Sequence, residues 1–404
     1  MGVNREYVPD WTSLSFDNKE PLIYQQYMKR KMYSGSLNQD VYEMIPLKKP
    51  VGIPGSFWGG NLSTTNKIYY VPYTMSTSNW YYVDLDETRD YYVNRNVENY
   101  TGDTISDVAY TGGVMDENGD IYFIPFKQAY VYNYLHYISS NDELKIIEIT
   151  HKTLVNGAYV GGALGINGVI KNRIYMAPLY QGSVQEWHYI YNGELYDYDP
   201  GFTLSIGLHG SYMGAVCSQE GKIYFIPFGQ STANEWHYIR TDGAIQSYSN
   251  TTGIVTSGAF CGGVLAPDGK IFLIPSLNTS DKWWYIDSSD DTIHTYEGVS
   301  INSRDYSGGV LGPNGKIYLI PHNRATNTTW HYIDVTGKKP EVVAYSHNIL
   351  AVRYAYCGGV LAPNGRIYLV PHEQATVNKW HFIDTQATEG INETVATSPF
   401  YNKF

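Results

Sequence analysis

Histidines, cysteines and carboxylates are the side chains through which this 404-residue chain could do chemistry, and it holds 11, 3 and 39 of them. Five histidines share one recurring position. His136, His188, His237, His331 and His381 each directly follow a tryptophan, or in the first case Leu135. A metal centre needs three or four such ligands to converge. Residues that recur once per structural unit converge only if they line a common centre, so these five are expected to pack and hydrogen-bond between units. His322 and His372 differ, because each follows a proline and opens a polar loop. Those loops read His322-Asn-Arg-Ala-Thr-Asn-Thr-Thr329 and His372-Glu-Gln-Ala-Thr-Val-Asn378, beside Phe228-Gly-Gln-Ser-Thr-Ala-Asn234 and Leu179-Tyr-Gln-Gly-Ser-Val-Gln185. Amides that bond hydroxyls and rings that cover sugar faces suit a neutral polar ligand such as a glycan. Ordinary solvated loops have a similar composition. The candidate binding residues are Tyr180, Gln181, Phe228, Gln230, His322, Arg324, His372 and Gln374.

No other pattern points to catalysis. There is no Gly-x-Ser-x-Gly elbow, no phosphate-binding Gly-x4-Gly-Lys-Ser/Thr and no Asp-x-Asp-x-Asp-Gly calcium loop. Asp84, Asp287, Asp334 and Asp384 recur at one position and read as architecture. No catalytic residue, metal ligand or cofactor is expected. Cys217, Cys261 and Cys357 make an odd set, which argues against a disulfide framework, and they read as small buried hydrophobes.

The frame for these residues is a repeat. The stretch Gly358-Gly-Val-Leu-Ala-Pro-Asn-Gly-Arg-Ile-Tyr-Leu-Val-Pro371 has relatives starting at Gly59, Gly112, Gly161, Gly214, Gly262 and Gly308, at intervals of 46 to 53 residues. Two residues before each start stands an aromatic: Phe57, Tyr110, Tyr159, Tyr212, Phe260, Tyr306 or Tyr356. Each repeat reads as four short strands. The first holds the glycine pair, whose recurrence implies a close backbone approach. A Pro-Asn-Gly type turn leads to an apolar second strand, and that strand ends at a proline that cannot extend the ladder. A third strand carries the tryptophan, and a variable fourth strand leads on. Seven four-stranded repeats describe an all-β, seven-bladed β-propeller of antiparallel blades.

Residues 1–40 lie outside the repeat and read as a short N-terminal arm, either an anchor to a larger assembly or a strap on the propeller's own side. Residues 41–404 form the propeller. Val41 to Pro46 has the offset of the strand that would close the ring, with Glu393-Thr-Val-Ala-Thr397 as the competing donor. A net charge of −11 argues against nucleic acid or an anionic membrane as partner. No apolar stretch is long enough to insert in a bilayer, and Met1-Gly-Val-Asn-Arg-Glu-Tyr7 lacks the apolar core of a signal peptide.

The Leu-Ala-Pro-Asn-Gly-Lys-Ile-Tyr-Leu-Ile-Pro type of repeat, best kept at residues 262–275, 308–321 and 358–371, resembles propeller proteins of tailed phages and large DNA viruses. The resemblance covers roughly residues 57–384 and defines no catalytic residue. It implies a non-enzymatic virion protein of a tail, fibre or capsid, assembled in a host cytoplasm. Such a protein would meet other virion proteins through its arm, and a host-surface glycan or protein receptor through its loops. A cytoplasmic propeller lectin or scaffold is the alternative, and a lactonase- or glycosidase-like propeller enzyme is the third class.

Overall fold

The computed structural model describes residues 41–44, 54–75, 78–85, 97–150, 152–204, 209–347, 349, 351–377 and 379–385. The arm, residues 45–46 and the segment 393–397 lie outside these. Seven four-stranded antiparallel sheets stand around a ring, as the repeat implies. Blade six shows the pattern. Its innermost strand is Tyr306–Leu311, followed outward by Lys316–Pro321, Thr329–Asp334 and Glu341–Ser346. Blade one begins at Phe57 and blades two to five at Tyr110, Tyr159, Tyr212 and Phe260. The innermost strand of blade seven is Tyr356–Leu361, and its outermost strand comes from the other end of the chain. Val41–Met44 pairs antiparallel with Trp380–Asp384, Val41 opposite Ile383 and Met44 opposite Trp380.

The glycine pair does two jobs. In six blades the first glycine sits in a bulge with positive φ, between +65° at Gly161 and +153° at Gly308. The extra residue there bends the innermost strand. The second glycine faces the preceding blade. A Cβ on Gly309 would stand 3.2 Å from both Ile274 Cδ1 and Val264 Cγ2 of blade five. At the seam between blades seven and one, a Cβ on Gly358 would meet the Cα of Gly59 at 3.2 Å.

Tryptophan fills the space between blades further out. Trp80, Trp187, Trp236, Trp283, Trp330 and Trp380 are all fully buried. Trp80 meets Phe123, Trp187 meets Phe225 and Trp236 meets Phe260, each on the next blade, at ring-centroid distances of 6.1, 5.8 and 6.0 Å. Trp380 does the same across the closing seam, against Tyr70 at 5.6 Å and Phe57 at 6.2 Å.

The five repeated histidines pack between blades as expected, His136 on Trp80 and His237 on Phe202, but the hydrogen bond they share lies within the blade, which corrects the sequence expectation. The innermost tyrosine reaches across the second strand of its own sheet. Tyr110 Oη lies 2.6 Å from His136 Nδ1, Tyr159 Oη 2.6 Å from His188 Nδ1 and Tyr212 Oη 2.5 Å from His237 Nδ1. Tyr306–His331 and Tyr356–His381 complete the set. The His136 backbone N–H donates to Tyr110 Oη, so the phenol donates its own proton to Nδ1 and Nε2 carries the imidazole hydrogen. His188 Nε2 then donates to Glu186 Oε1 at 3.1 Å. Where the aromatic is Phe57 or Phe260, no hydroxyl is available, and Tyr81 or Trp284 replaces the histidine with an edge-on ring contact at 5.9 Å.

Two expectations follow. Deleting residues 1–47 strips the outer strand from blade seven and leaves an open edge. It is expected to lower the Tm far more than deleting residues 390–404, and thermal melts of the two truncations decide it. Burial pushes His136, His188 and His331 down to about 4, from an unfolded value near 6.5. The fold therefore holds them neutral. Their contribution is in place above pH 6.5 and declines as the pH falls toward 4, at up to about 1.4 kcal/mol per pH unit for each histidine. Urea unfolding at pH 7 and pH 5 measures the loss. Equal stability at the two pH values would refute it.

Candidate functional site

The proline that ends each second strand sets up one mouth of the ring. Having no N–H, it ends the ladder, and the next residue turns its N–H to the carbonyl just before the innermost aromatic. This bond occurs in all seven blades, for example Tyr73 N to Ser56 O at 2.8 Å, Phe126 N to Ala109 O at 2.9 Å and His372 N to Ala355 O at 2.7 Å. The carbonyl of the same post-proline residue accepts from the next blade. Ala109 N bonds Tyr73 O, Ala158 N bonds Phe126 O, Ser211 N bonds Leu179 O and Gly258 N bonds Phe228 O, at 2.7 to 3.0 Å. Arg304 N to Ser276 O and Ala355 N to His322 O continue the series. A belt of backbone hydrogen bonds thus runs along the mouth from blade one to blade seven through six such links, and the post-proline N–H bonds fix seven positions: Tyr73, Phe126, Leu179, Phe228, Ser276, His322 and His372.

Side chains at four of these positions, joined by Tyr354, form an arc of rings. Tyr354, His322, His372, Tyr73 and Phe126 follow one another at centroid separations of 5.0, 6.0, 5.7 and 6.4 Å. Trp58 backs the arc, 5.6 Å from His372 and 5.1 Å from Tyr73. Tyr180 extends it beyond Phe126, since a Cβ on Gly157 would touch both rings. Phe228 stands opposite with His209 against it at 5.6 Å. Beside the arc, a short helix at Gln128–Tyr132 leaves Tyr130, Val131 and Tyr132 exposed.

His322 and His372 have the opposite tautomer from the buried five. His322 Nδ1 lies 2.9 Å from the Tyr356 carbonyl oxygen, and His372 Nδ1 lies 3.1 Å from that of Phe57. A carbonyl only accepts, so both Nδ1 atoms carry the hydrogen and both Nε2 atoms hold a lone pair. Neither Nε2 has a protein partner among the described residues, and neither is sealed from solvent. Burial pushes His322 down to about 4 and lowers His372 as well, so both are neutral near pH 7.

The other candidates fall into two groups. Tyr180, Phe228, His322 and His372 are half-buried at the mouth. Gln181, Gln230 and Gln374 are buried in the loops behind it. Gln181 Nε2 donates to Thr153 O at 2.6 Å and Glu186 O at 2.7 Å, while its Oε1 accepts from Val155 N at 3.0 Å. Gln374 likewise bonds Lys379 O and Val352 N. Gln128 holds the same place in blade two, with its Oε1 accepting from Ser106 N at 2.8 Å. In blade six Arg324 replaces the glutamine and reaches the buried Asp305 carboxylate at 3.4 Å. These side chains stitch loops together.

Sequence reasoning missed Trp58, Tyr73, Phe126 and Tyr354. The post-proline position was there to be read for two of them. A second missed signal is the residue two before each innermost aromatic. It has positive φ in every blade: Gly55, Val108, Gly157, Gly210, Gly258, Arg304 and Tyr354, from +52° to +83°. Four are glycine, as that conformation favours. A valine, an arginine and a tyrosine hold it under strain, and such residues cluster at functional sites.

One further group, Asp287, Asp290 and His294, brings three potential ligand atoms within 4.8 Å in the outer turn of blade five. Its carboxylates already serve the turn: Asp287 accepts from Ser289 and Asp290 from Thr292.

Seven four-stranded antiparallel blades around a ring define a seven-bladed β-propeller, and aromatic and imidazole rings line one of its mouths. Neither a family model nor a curated protein sequence matches the chain. Solved propellers do match it. A streptogramin B lyase is 16% identical with a TM-score of 0.61, covering 89% of this chain and 100% of its own. Virginiamycin B lyase from Staphylococcus aureus is 14% identical with a TM-score of 0.60, over 85% and 99%. The WD40 propeller domain of Doa1 is 12% identical with a TM-score of 0.53, over 86% and 99%. At such identities the likeness shows the fold alone. No described helix is long and apolar enough to cross a membrane.

The strained position gives a direct test. Val108→Gly removes a left-handed β-branched residue, a strain of roughly 1–2 kcal/mol, against an entropic cost of roughly 0.5–1 kcal/mol. Denaturant unfolding is expected to show a stability equal to the parent's or up to about 1.5 kcal/mol higher. A clear loss would mean that Val108 makes contacts worth more than its strain.

Proposed function

We propose that this propeller is a non-enzymatic binding protein, and that a glycan or glycan-bearing receptor seats on the ring arc at its mouth. The observation that carries the reading is the continuous run of Tyr354, His322, His372, Tyr73 and Phe126 over four adjacent blades. Aromatic faces cover the apolar face of a sugar ring, and the Nε2 lone pairs accept hydrogen bonds from its hydroxyls. Main-chain hydrogen bonds set the path of the chain under the arc, so its side chains can differ from blade to blade. The resemblance of the repeat to phage and viral propellers supports a place on a virus particle, where residues 1–40 would contact other virion proteins and the mouth would face the host.

A glycan array or host-cell adsorption assay tests it. Tyr73→Ala/Phe126→Ala removes two rings of the arc and leaves the backbone belt intact. It is expected to lose most binding while melting close to the parent. A control altering the turns 313–315 and 363–365, at the opposite ends of the second strands, is expected to bind normally. Loss in the control but not in the arc variant would place the ligand on the other face. Turnover of a glycoside, lactone or ester that vanishes in His322→Ala or His372→Ala would replace the binding reading with an enzymatic one.

A further inference from the structure

One side of the mouth is charged, which the composition of the chain does not lead one to expect. The protein carries a net charge of −11, with 28 lysines and arginines in 404 residues. Yet two arginines flank His322. Arg304, exposed, stands at the strained position leading into blade six, with φ +58°. Arg353, also exposed, leads into blade seven, and its guanidinium lies over the Tyr354 ring at 4.7 Å. Neither has a carboxylate partner among the described residues, whereas the nearby Arg324 is paired with Asp305.

Asn323 ties this corner together. Its backbone N–H donates to Arg304 O at 3.0 Å, its Nδ2 to Ser303 O at 2.8 Å, and its Oδ1 accepts from Arg353 Nε at 3.1 Å. One residue earlier in the chain, His322 turns its Nδ1 hydrogen to Tyr356 O and leaves Nε2 open. The corner therefore offers two kinds of group side by side. Two guanidinium groups without a carboxylate partner among the described residues supply positive charge that reaches His322, and planar donors, with Arg353 held by Asn323. Two neutral imidazoles supply acceptors that demand a donor. An arginine and a tyrosine are kept where glycine would be relaxed, at positions that other blades give to glycine.

We infer that the ligand is an acidic sugar, one bearing a carboxylate beside ring hydroxyls. The carboxylate pairs with Arg304 and Arg353, and neighbouring hydroxyls donate to Nε2 of His322 and His372. This rests on the binding reading above and goes beyond the neutral ligand that loop composition alone suggested. Arginine suits the role because its planar fork matches a carboxylate. Free imidazole lone pairs would repel the anion, so the hydroxyls and the carboxylate have separate, fixed places. A bare polyanion satisfies only half of the corner.

The test is binding of the full chain to matched glycans at two salt concentrations: neutral, sialylated, uronate-containing and sulfated versions of one core. Carboxylated glycans are expected to bind about tenfold or more tighter than the neutral core. The preference should narrow as salt rises, because exposed charges are screened. Arg304→Gln/Arg353→Gln is expected to erase the preference while keeping weak binding of the neutral core. His322→Phe/His372→Phe keeps the rings and is expected to weaken carboxylated and neutral forms alike. Equal binding of neutral and carboxylated forms by the parent overturns the inference without touching the binding reading. So does equal competition by inorganic phosphate or sulfate, which would mark a simple anion site, and so does loss of binding with EDTA, which would put a cation on the two Nε2 atoms. Binding to no glycan at all overturns the binding reading and this inference together.

Discussion

The belt of backbone hydrogen bonds around the mouth is the constraint on which the candidate site depends. It begins with a missing donor. Proline at the end of the second strand stops the ladder, so the next N–H must find its acceptor elsewhere, and a buried amide without a partner would cost as much as a lost hydrogen bond. It finds the carbonyl ahead of the innermost aromatic, as His322 does at Asp305 O at 2.8 Å. Its own carbonyl then takes an N–H from the next blade. All of these bonds use main chain only. The same backbone path therefore carries Tyr73, Ser276 or His372 with equal ease, and sequence at the mouth can change without loosening the ring.

Behind the belt, two side-chain systems divide the work of holding the ring. Within a blade, the Tyr–His bond crosses the second strand and links the innermost strand to the third. Between blades, the buried tryptophans and the glycine pair set how closely neighbours approach. The systems meet at Trp80, whose ring lies 5.1 Å from His136 of the next blade. Closure matters most at the seam of blades seven and one. There Trp380 packs on Phe57 and Tyr70, Gly358 abuts Gly59, and Val41–Met44 completes the last sheet. A ring whose last blade takes its outer strand from the other end of the chain cannot open there without breaking a full strand pairing.

Much of the frame was legible in the sequence. Period, aromatic, glycine pair, proline and tryptophan each mark a place where the backbone has little choice, so seven copies of the same answer appear. The Tyr–His pairing was legible too, in the exchange of Phe57 with Tyr81 and Phe260 with Trp284, but only once the two columns are known to face each other in one blade. The site was harder to read. Gln181 and Gln374 look like ligand-binding amides in a list of polar loop residues, but they are buried and satisfy backbone groups. Trp58 looks like a strand residue, yet it reaches the mouth beside His372. Whether a polar loop residue faces in or out depends on how the loop folds back, and composition carries little of that.

Histidine shows why residue type alone misleads here. Seven of the eleven occur in the two repeated settings, five in the Tyr–His links within blades and two at the mouth. In His136 the phenol hydroxyl donates to Nδ1, so Nε2 keeps its hydrogen and the imidazole is tied into its own blade. In His322 a carbonyl takes the Nδ1 hydrogen, so Nε2 faces the mouth as an acceptor. The difference is one partner atom: a hydroxyl that can donate, or a carbonyl that cannot. That choice is made by the neighbouring residue and not by histidine itself. It separates an imidazole that holds the blade together from one that can hold a ligand, within one chain and on one repeated scaffold.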